Sequence, residues 1–374
     1  MSKLNNKKAP FRADVVGSYL RPDYLKEARK NYSNGIITEE ALKAVEDKAI
    51  TDLVNKQKEI GLSVITDGEF RRSWWHLDFM WGLNGVDKIE AEQGYVFKDE
   101  VTRGDSAVVT GKISGENHPF VEHFKFIKAL EDENVVARQT IPAPAQFLAE
   151  IQRGKNLIET KKFYKEDKEL FKDIASAYQR VILDLYEAGC RNIQLDDCTW
   201  GMFCDKEFWK VIAEGNLTLE EVAKSYVDLN NAAIENLPED LAITTHVCRG
   251  NYHSTWASSG GYAPIAPFLF GEENVQAYYL EFDDDRSGNF EPLKYVNKDK
   301  KVVLGLITSK TPQLEDKETI IKRIKEASEY VPLDRLYLSP QCGFASTEEG
   351  NILTEDEQWK KIELVIDIAK EVWG

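Results

Sequence analysis

KEDKELFKDIASAYQRVILDLYEAGCRNIQLDD, residues 165–197, sets the frame for the rest of the chain. Leu170, Ile174, Tyr178, Val181 and Leu185 recur at spacings of three and four, the period of one helix face. Gly189 follows, a residue suited to the left-handed turn that ends a helix. Asn192–Asp197 (NIQLDD) is then short, apolar at its centre and acidic at its end. Helix, turn and strand in that order form one step of an α/β repeat.

Working outward, the same step recurs. Strand-like runs occupy Ala13–Tyr19, Leu62–Gly68, Val135–Pro144, Asn192–Asp197, Leu241–Cys248, Asn274–Phe282, Lys301–Thr308 and Arg335–Gly343. Several are almost continuously apolar, as expected of parallel strands covered on both faces. Helical periodicity fills Ile37–Gly61, Lys165–Ala188 and Glu315–Tyr330, and Thr218-x-x-Glu221 and Thr354-x-x-Glu357 are capping boxes opening two more helices. Eight strands with intervening helices predict a single (β/α)8 barrel, of the TIM-barrel class, spanning residues 1–374 as one catalytic domain. Residues 82–134 break the alternation. GYVFKDEV and SAVVTGKIS within them read as a β-hairpin insertion after the second strand, and Gly250–Pro267 as a long loop.

Hydrophobic residues make up 42% and charged residues 30%, an ordinary globular composition. Lys plus Arg is 48 against 64 Asp plus Glu, a formal charge of −16, which argues against nucleic acid or an anionic membrane as partner. No uninterrupted apolar run approaches the roughly 18 residues of a membrane-spanning helix. Five scattered cysteines and no export signal lead us to expect free thiols and a cytoplasmic location. Nothing in the sequence speaks to oligomeric state.

Reactive side chains fall where the strands end: Ser18, Asp67 and Glu69, Asp196 and Asp197, His246 and Cys248, Glu281, and Cys342. A barrel carries its active site at that end of its strands, so these residues are expected to converge. His246-x-Cys248 has a specific meaning. Residues i and i+2 of a strand share a face, and imidazole with thiolate suits zinc. Glu281 and Cys342 would complete a tetrahedral set. The bland readings are a packing pair for His-x-Cys, a strand-end turn for Ser18, a pairing of Glu69 with Arg71 or Arg72 on a solvated loop, and helix capping for Asp196 and, above all, Asp197. Asp283–Asp285 reads as a solvated face and Cys190 as core. Cys198 and Cys204 could lie near the site but have no ligand spacing, and Trp74 and Trp75 either join the core or line the site.

VVGSYLRP (15–22), TDGEFRR (66–72), IQLDD (193–197), HVCRGN (246–251), YLEFDDDRSG (279–288) and LSPQCGF (338–344) together resemble the catalytic barrel of cobalamin-independent methionine synthase, and more closely its short single-barrel bacterial relatives. The resemblance runs from about residue 11 to 372. It implies a zinc enzyme in which a homocysteine thiolate takes the methyl group of 5-methyltetrahydrofolate or its polyglutamate. By position His246, Cys248, Glu281 and Cys342 match the zinc ligands, Glu281 being the one expected to yield to substrate sulfur. Ser18, Glu69 and Asp196 match the groups that hold the carboxylate and amine of homocysteine.

Two departures concern the methyl donor. The larger enzymes have a second barrel that helps form the folate cleft, and an essential histidine after the seventh strand. Here that region reads LGLITSKTPQ (304–313), where Lys310 is the nearest counterpart and the candidate for the donor half of the catalysis. The loop IPAPAQF (141–147) has no tryptophan to stack on a pterin, only Phe147. Other readings are therefore a zinc alkyltransferase using another thiol or donor, as in coenzyme M transferases, and a non-catalytic barrel that binds zinc or a thiol amino acid. A thiol without an amine would leave Glu69 and Asp196 unpaired and costly to bury.

Overall fold

A computed structural model describes residues 8–212 and 217–374. Ten strands are present among them: β1 Val64–Ile65, β2 Asn84–Glu90, β3 Asp105–Ser114, β4 Val136–Ala137, β5 Gln139–Pro142, β6 Asn192–Asp197, β7 Ala242–Val247, β8 Ala277–Glu281, β9 Lys301–Ile307 and β10 Leu336–Pro340. β5 to β10 form one parallel sheet in chain order. β1 pairs with β4, and only Arg138 separates β4 from β5. The segment 13–18 joins the two ends through single parallel bridges, Ala13 to Leu338 of β10 and Ser18 to Gly68 beyond β1. Eight staves thus follow one another in an α/β barrel.

The first two staves are thinner than their sequences suggest, and the reason is local. The Asp14 carboxylate accepts from the amides of Phe11 and Val15, at 2.8 and 2.7 Å, so a side chain takes donors a ladder would use. Gly68 and Glu69 both have left-handed backbones, which ends the second stave. The helices match their periodicity closely, at Glu39–Glu59, Asp167–Glu187 and Lys317–Ala327. Both capping boxes form, Thr218 with Glu221 and Thr354 with Glu357.

The insertion contains an antiparallel hairpin, but it pairs β2 with β3. GYVFKDEV, expected to be part of that hairpin, contributes a single bridge between Val96 and Val101. The barrel interior is not wholly apolar. Arg138, fully buried, donates to Asp14 Oδ1 (2.9 Å) and to the Tyr279 hydroxyl (2.8 Å), which itself donates to Asp14 Oδ2 (2.7 Å).

Candidate active site and metal centre

Four side chains from three strand ends meet at the C-terminal rim of the sheet. His246 lies in β7. Cys248 follows that strand, its amide still bonded to Asp197 O (3.1 Å), so strand alternation carries both side chains to one face. Glu281 is the last residue of β8, and Cys342 lies two residues beyond β10. One ligand atom from each of the four lies within 4.8 Å of the others, and all four residues are buried.

The donor set fits a tetrahedral zinc ion. The sulfurs of Cys248 and Cys342 are 3.7 Å apart. Zinc–sulfur bonds of about 2.3 Å in a tetrahedron would place them about 3.8 Å apart. Both ring nitrogens of His246 and Oε2 of Glu281 are buried without a hydrogen-bond partner among the described residues. Such orphaned polar atoms are costly to bury, and a cation would satisfy the acceptors among them. The remaining Glu281 oxygen accepts from the Arg249 amide (2.7 Å), and Cys248 Sγ accepts from the Gly250 amide (3.3 Å). A hydrogen bond shared with Cys198, together with burial, pushes the Cys248 thiol well above its ordinary value, and its bond with Cys248 does the same for Cys342. A bound cation reverses that preference, since coordination favours the thiolate.

The same cavity is lined by Ser18, Glu69 and Asp196. Ser18 Oγ accepts from the Ala345 amide at 3.4 Å, and Gly343 must be glycine beside it, because a Cβ there would stand 1.9 Å from that oxygen. Glu69 has φ 61°, a strained backbone of the kind that functional sites retain. Its Oε1 receives Thr140 Oγ1 (2.9 Å) and Arg72 (3.1 Å), while Oε2 is buried and unpartnered. The pairing with Arg72 is therefore real, but inside the protein rather than on a solvated loop. Burial pushes Glu69 to about 7 despite Arg72, and Asp196 to about 7 despite the bond from Gln194. Repulsion between the two carboxyl groups adds to the rise at Glu69.

Asp197 accepts from the amide and hydroxyl of Thr199, but the N-cap of the helix Thr199–Cys204 is Cys198, without a side-chain cap, so Asp197 braces the strand-to-helix turn one position before the cap expected of it. Lys310 lies elsewhere. Its ammonium donates to Asn251 Oδ1 (2.9 Å) and Gly250 O (3.4 Å), against the turn after Cys248, and it does not line the cavity. Asp283 has a buried side chain with Arg286 at 3.5 Å, so only Asp284 and Asp285 form a solvated face. Spacing left open the position of Cys198. It packs on Cys248 and Cys342, with Trp75 and Met202 against all three. Gly201 allows this approach, since a Cβ there would lie 2.2 Å from Cys248 O.

The profile of the cobalamin-independent synthase catalytic domain matches residues 11–371. The chain belongs to that family. Two uncharacterised Bacillus subtilis proteins, YxjH and YxjG, are 46% and 45% identical over 98% and 99% of this chain, and over 96% and 97% of their own. The methionine synthase of Saccharolobus solfataricus is 25% identical over 88% of this chain and 86% of its own. Among solved structures, the putative vitamin-B12-independent methionine synthase of Listeria monocytogenes superposes with a TM-score of 0.78 at 41% identity, covering 99% of this chain and 100% of that one. A Shewanella vitamin-B12-independent methionine synthase, solved with selenomethionine, has the same fold, with a TM-score of 0.71 at 21% identity over 97% and 98% of the two chains. Fold and family together make this a methyltransferase of the methionine-synthase type. No helix among the described residues is long and apolar enough to cross a membrane.

Proposed function

We propose that this barrel is a zinc-dependent homocysteine S-methyltransferase that makes methionine, with 5-methyltetrahydrofolate or its polyglutamate as donor. The observation that carries the reading is the meeting of His246, Cys248, Glu281 and Cys342, with His246 and both cysteines lining one cavity together with Ser18, Glu69 and Asp196. Zinc, held by those four ligands, would supply the charge that keeps a substrate thiol ionised near neutral pH. Glu281 is the ligand we expect to make way for substrate sulfur, because the Arg249 amide already retains its other oxygen. The free oxygen of Glu69 and the carboxylate of Asp196 receive the ammonium of homocysteine as charge-assisted hydrogen bonds. Ser18, by its hydroxyl and amide, receives the carboxylate. Lys310 serves the donor half by holding the turn after Cys248, or as an anchor for the donor's anionic end.

The test is product analysis of purified protein with homocysteine and labelled donors: 5-methyltetrahydrofolate, its triglutamate and methylcobalamin. The expected result is about one zinc per chain and labelled methionine from folate. X-ray absorption should show two protein sulfurs, with a third on adding homocysteine. An unchanged spectrum would sink the exchange of Glu281, and absence of methionine with every donor would sink the function.

A further inference from the structure

Among the residues lining the cavity, Trp75 is the one Phe, Tyr or Trp, beside the imidazole of His246, and it packs on the cluster of Cys198, Cys248 and Cys342. Its backbone is pinned on both sides. The Trp75 amide donates to Ser346 O (2.9 Å), and its carbonyl accepts from Arg72 (3.3 Å). Its ring lies against the ring of buried His76, with centroids 4.5 Å apart and planes 35° apart. His76 Nε2 is 2.9 Å from the Tyr95 hydroxyl, and that hydroxyl is 2.8 Å from Glu150 Oε2. The Tyr95 hydroxyl donates to Glu150, so its oxygen receives Nε2–H from His76. Ser106 and Arg153 also donate to Glu150. Tyr95 and Ser106 belong to the insertion, so the segment that interrupts the barrel repeat sets the ring beside the sulfurs.

Resting on the function proposed above, we propose that the Trp75 indole is the wall past which the methyl group travels, stabilising its partial positive charge, and that Tyr95 positions that wall through His76. In the transfer the substrate sulfur forms a bond to the methyl carbon as the donor's nitrogen–carbon bond breaks. The electron pair of that bond stays on the nitrogen, which takes up a proton. The moving methyl is cationic in character, and an indole face attracts such a group most strongly of the aromatic side chains. Trp75 is thereby a catalytic residue and Tyr95 a positioning residue.

The probes are S-methylmethionine, a sulfonium that places a cationic methyl on the sulfur, and methionine, its neutral counterpart. Both are titrated calorimetrically into the zinc-loaded protein, with zinc content measured for every variant. Wild type is expected to prefer the sulfonium. Trp75→Phe keeps most of that preference. Trp75→Met lowers it by about 3- to 30-fold, the size of a cation–π contact, with methionine affinity within about twofold of wild type. Tyr95→Phe lowers it by a smaller factor. A wild type without preference for the sulfonium overturns the inference even if Trp75→Met fails to fold. So does a Trp75→Met variant that loses both ligands equally, and an unchanged preference in Tyr95→Phe overturns the positioning role. A wild type that binds neither ligand overturns the proposed function and this inference with it, which separates the two failures.

Discussion

Cys248 and Cys342 are 94 positions apart in the sequence, yet 3.7 Å separates their sulfurs. Replacing Cys342 with Ala removes one of two thiolates. It is expected to abolish metal retention and methyl transfer together, a larger loss than the roughly 10- to 100-fold that an outer-sphere change costs. Metal analysis of a still-active variant that holds no zinc would refute the assignment. Glu69 makes a pH prediction. Its carboxyl is pushed up to about 7, chiefly by burial. Below that pH it is neutral and a poor partner for an ammonium, so homocysteine affinity should rise with pH through about 7 and then level. Glu69→Gln should make the rise shallower, leaving the part due to Asp196, which is also pushed up to about 7, and weaken binding by roughly 10- to 100-fold, the worth of a hydrogen bond to a charged group. Lys310→Ala tests the donor half. Turnover with folate should slow while homocysteine binding stays within about twofold, and an equal loss of both would assign Lys310 to the thiol half. These roles were legible where a side chain and its strand-end position together imply a chemistry, as for His246-x-Cys248. The placement of Cys198 and the distance of Lys310 from the cavity were not, because both follow from how loops fold over the strand ends.

At the scale of elements, the barrel interior is crossed by the ion pair of Asp14 and Arg138, both with fully buried side chains. Breaking one half of such a pair leaves a buried charge unpaired. Asp14→Ala should therefore destabilise the protein by about 3–5 kcal/mol in urea denaturation. Asp14→Ala combined with Arg138→Met should recover much of that loss. A double variant as unstable as the single would mean that packing, not charge, dominates there. Helices were legible because their period and caps are local properties, and both capping boxes formed as the sequence predicts. The first two staves were not, since Asp14 draws backbone donors away from the ladder and left-handed residues end the second run. The hairpin was expected, but the partner of SAVVTGKIS is β2, outside GYVFKDEV. Which of several short alternating runs pair depends on the core they cover, into which Val86, Ala107 and Val109 of β2 and β3 are packed.

At the scale of the whole molecule, buried carboxyl groups tie stability to pH. Glu273 accepts from Asn230 at 3.1 Å, its other oxygen has no partner among the described residues, and burial pushes it from 4.5 to about 8. Between those values the folded chain holds a proton that the unfolded chain has lost. Its stabilising contribution is full below about pH 4.5 and is lost as pH rises through about 8. The slope is on the order of 1.4 kcal/mol per pH unit. Glu273→Gln should remove it, raising the urea midpoint at pH 8 relative to wild type, and a midpoint with the same pH dependence as wild type would exclude Glu273 as the source. The residue types at the strand ends, the order of strands and helices and the kinship of the motifs were determined along the chain, because each rests on neighbours a few positions apart. Only the tertiary structure decided that Trp75, Cys198 and the two ligand cysteines share one cluster, that Glu69 keeps one oxygen free, and that an insertion braces the site. Those facts depend on distances between residues far apart in sequence, which packing of the whole barrel sets and no local pattern encodes.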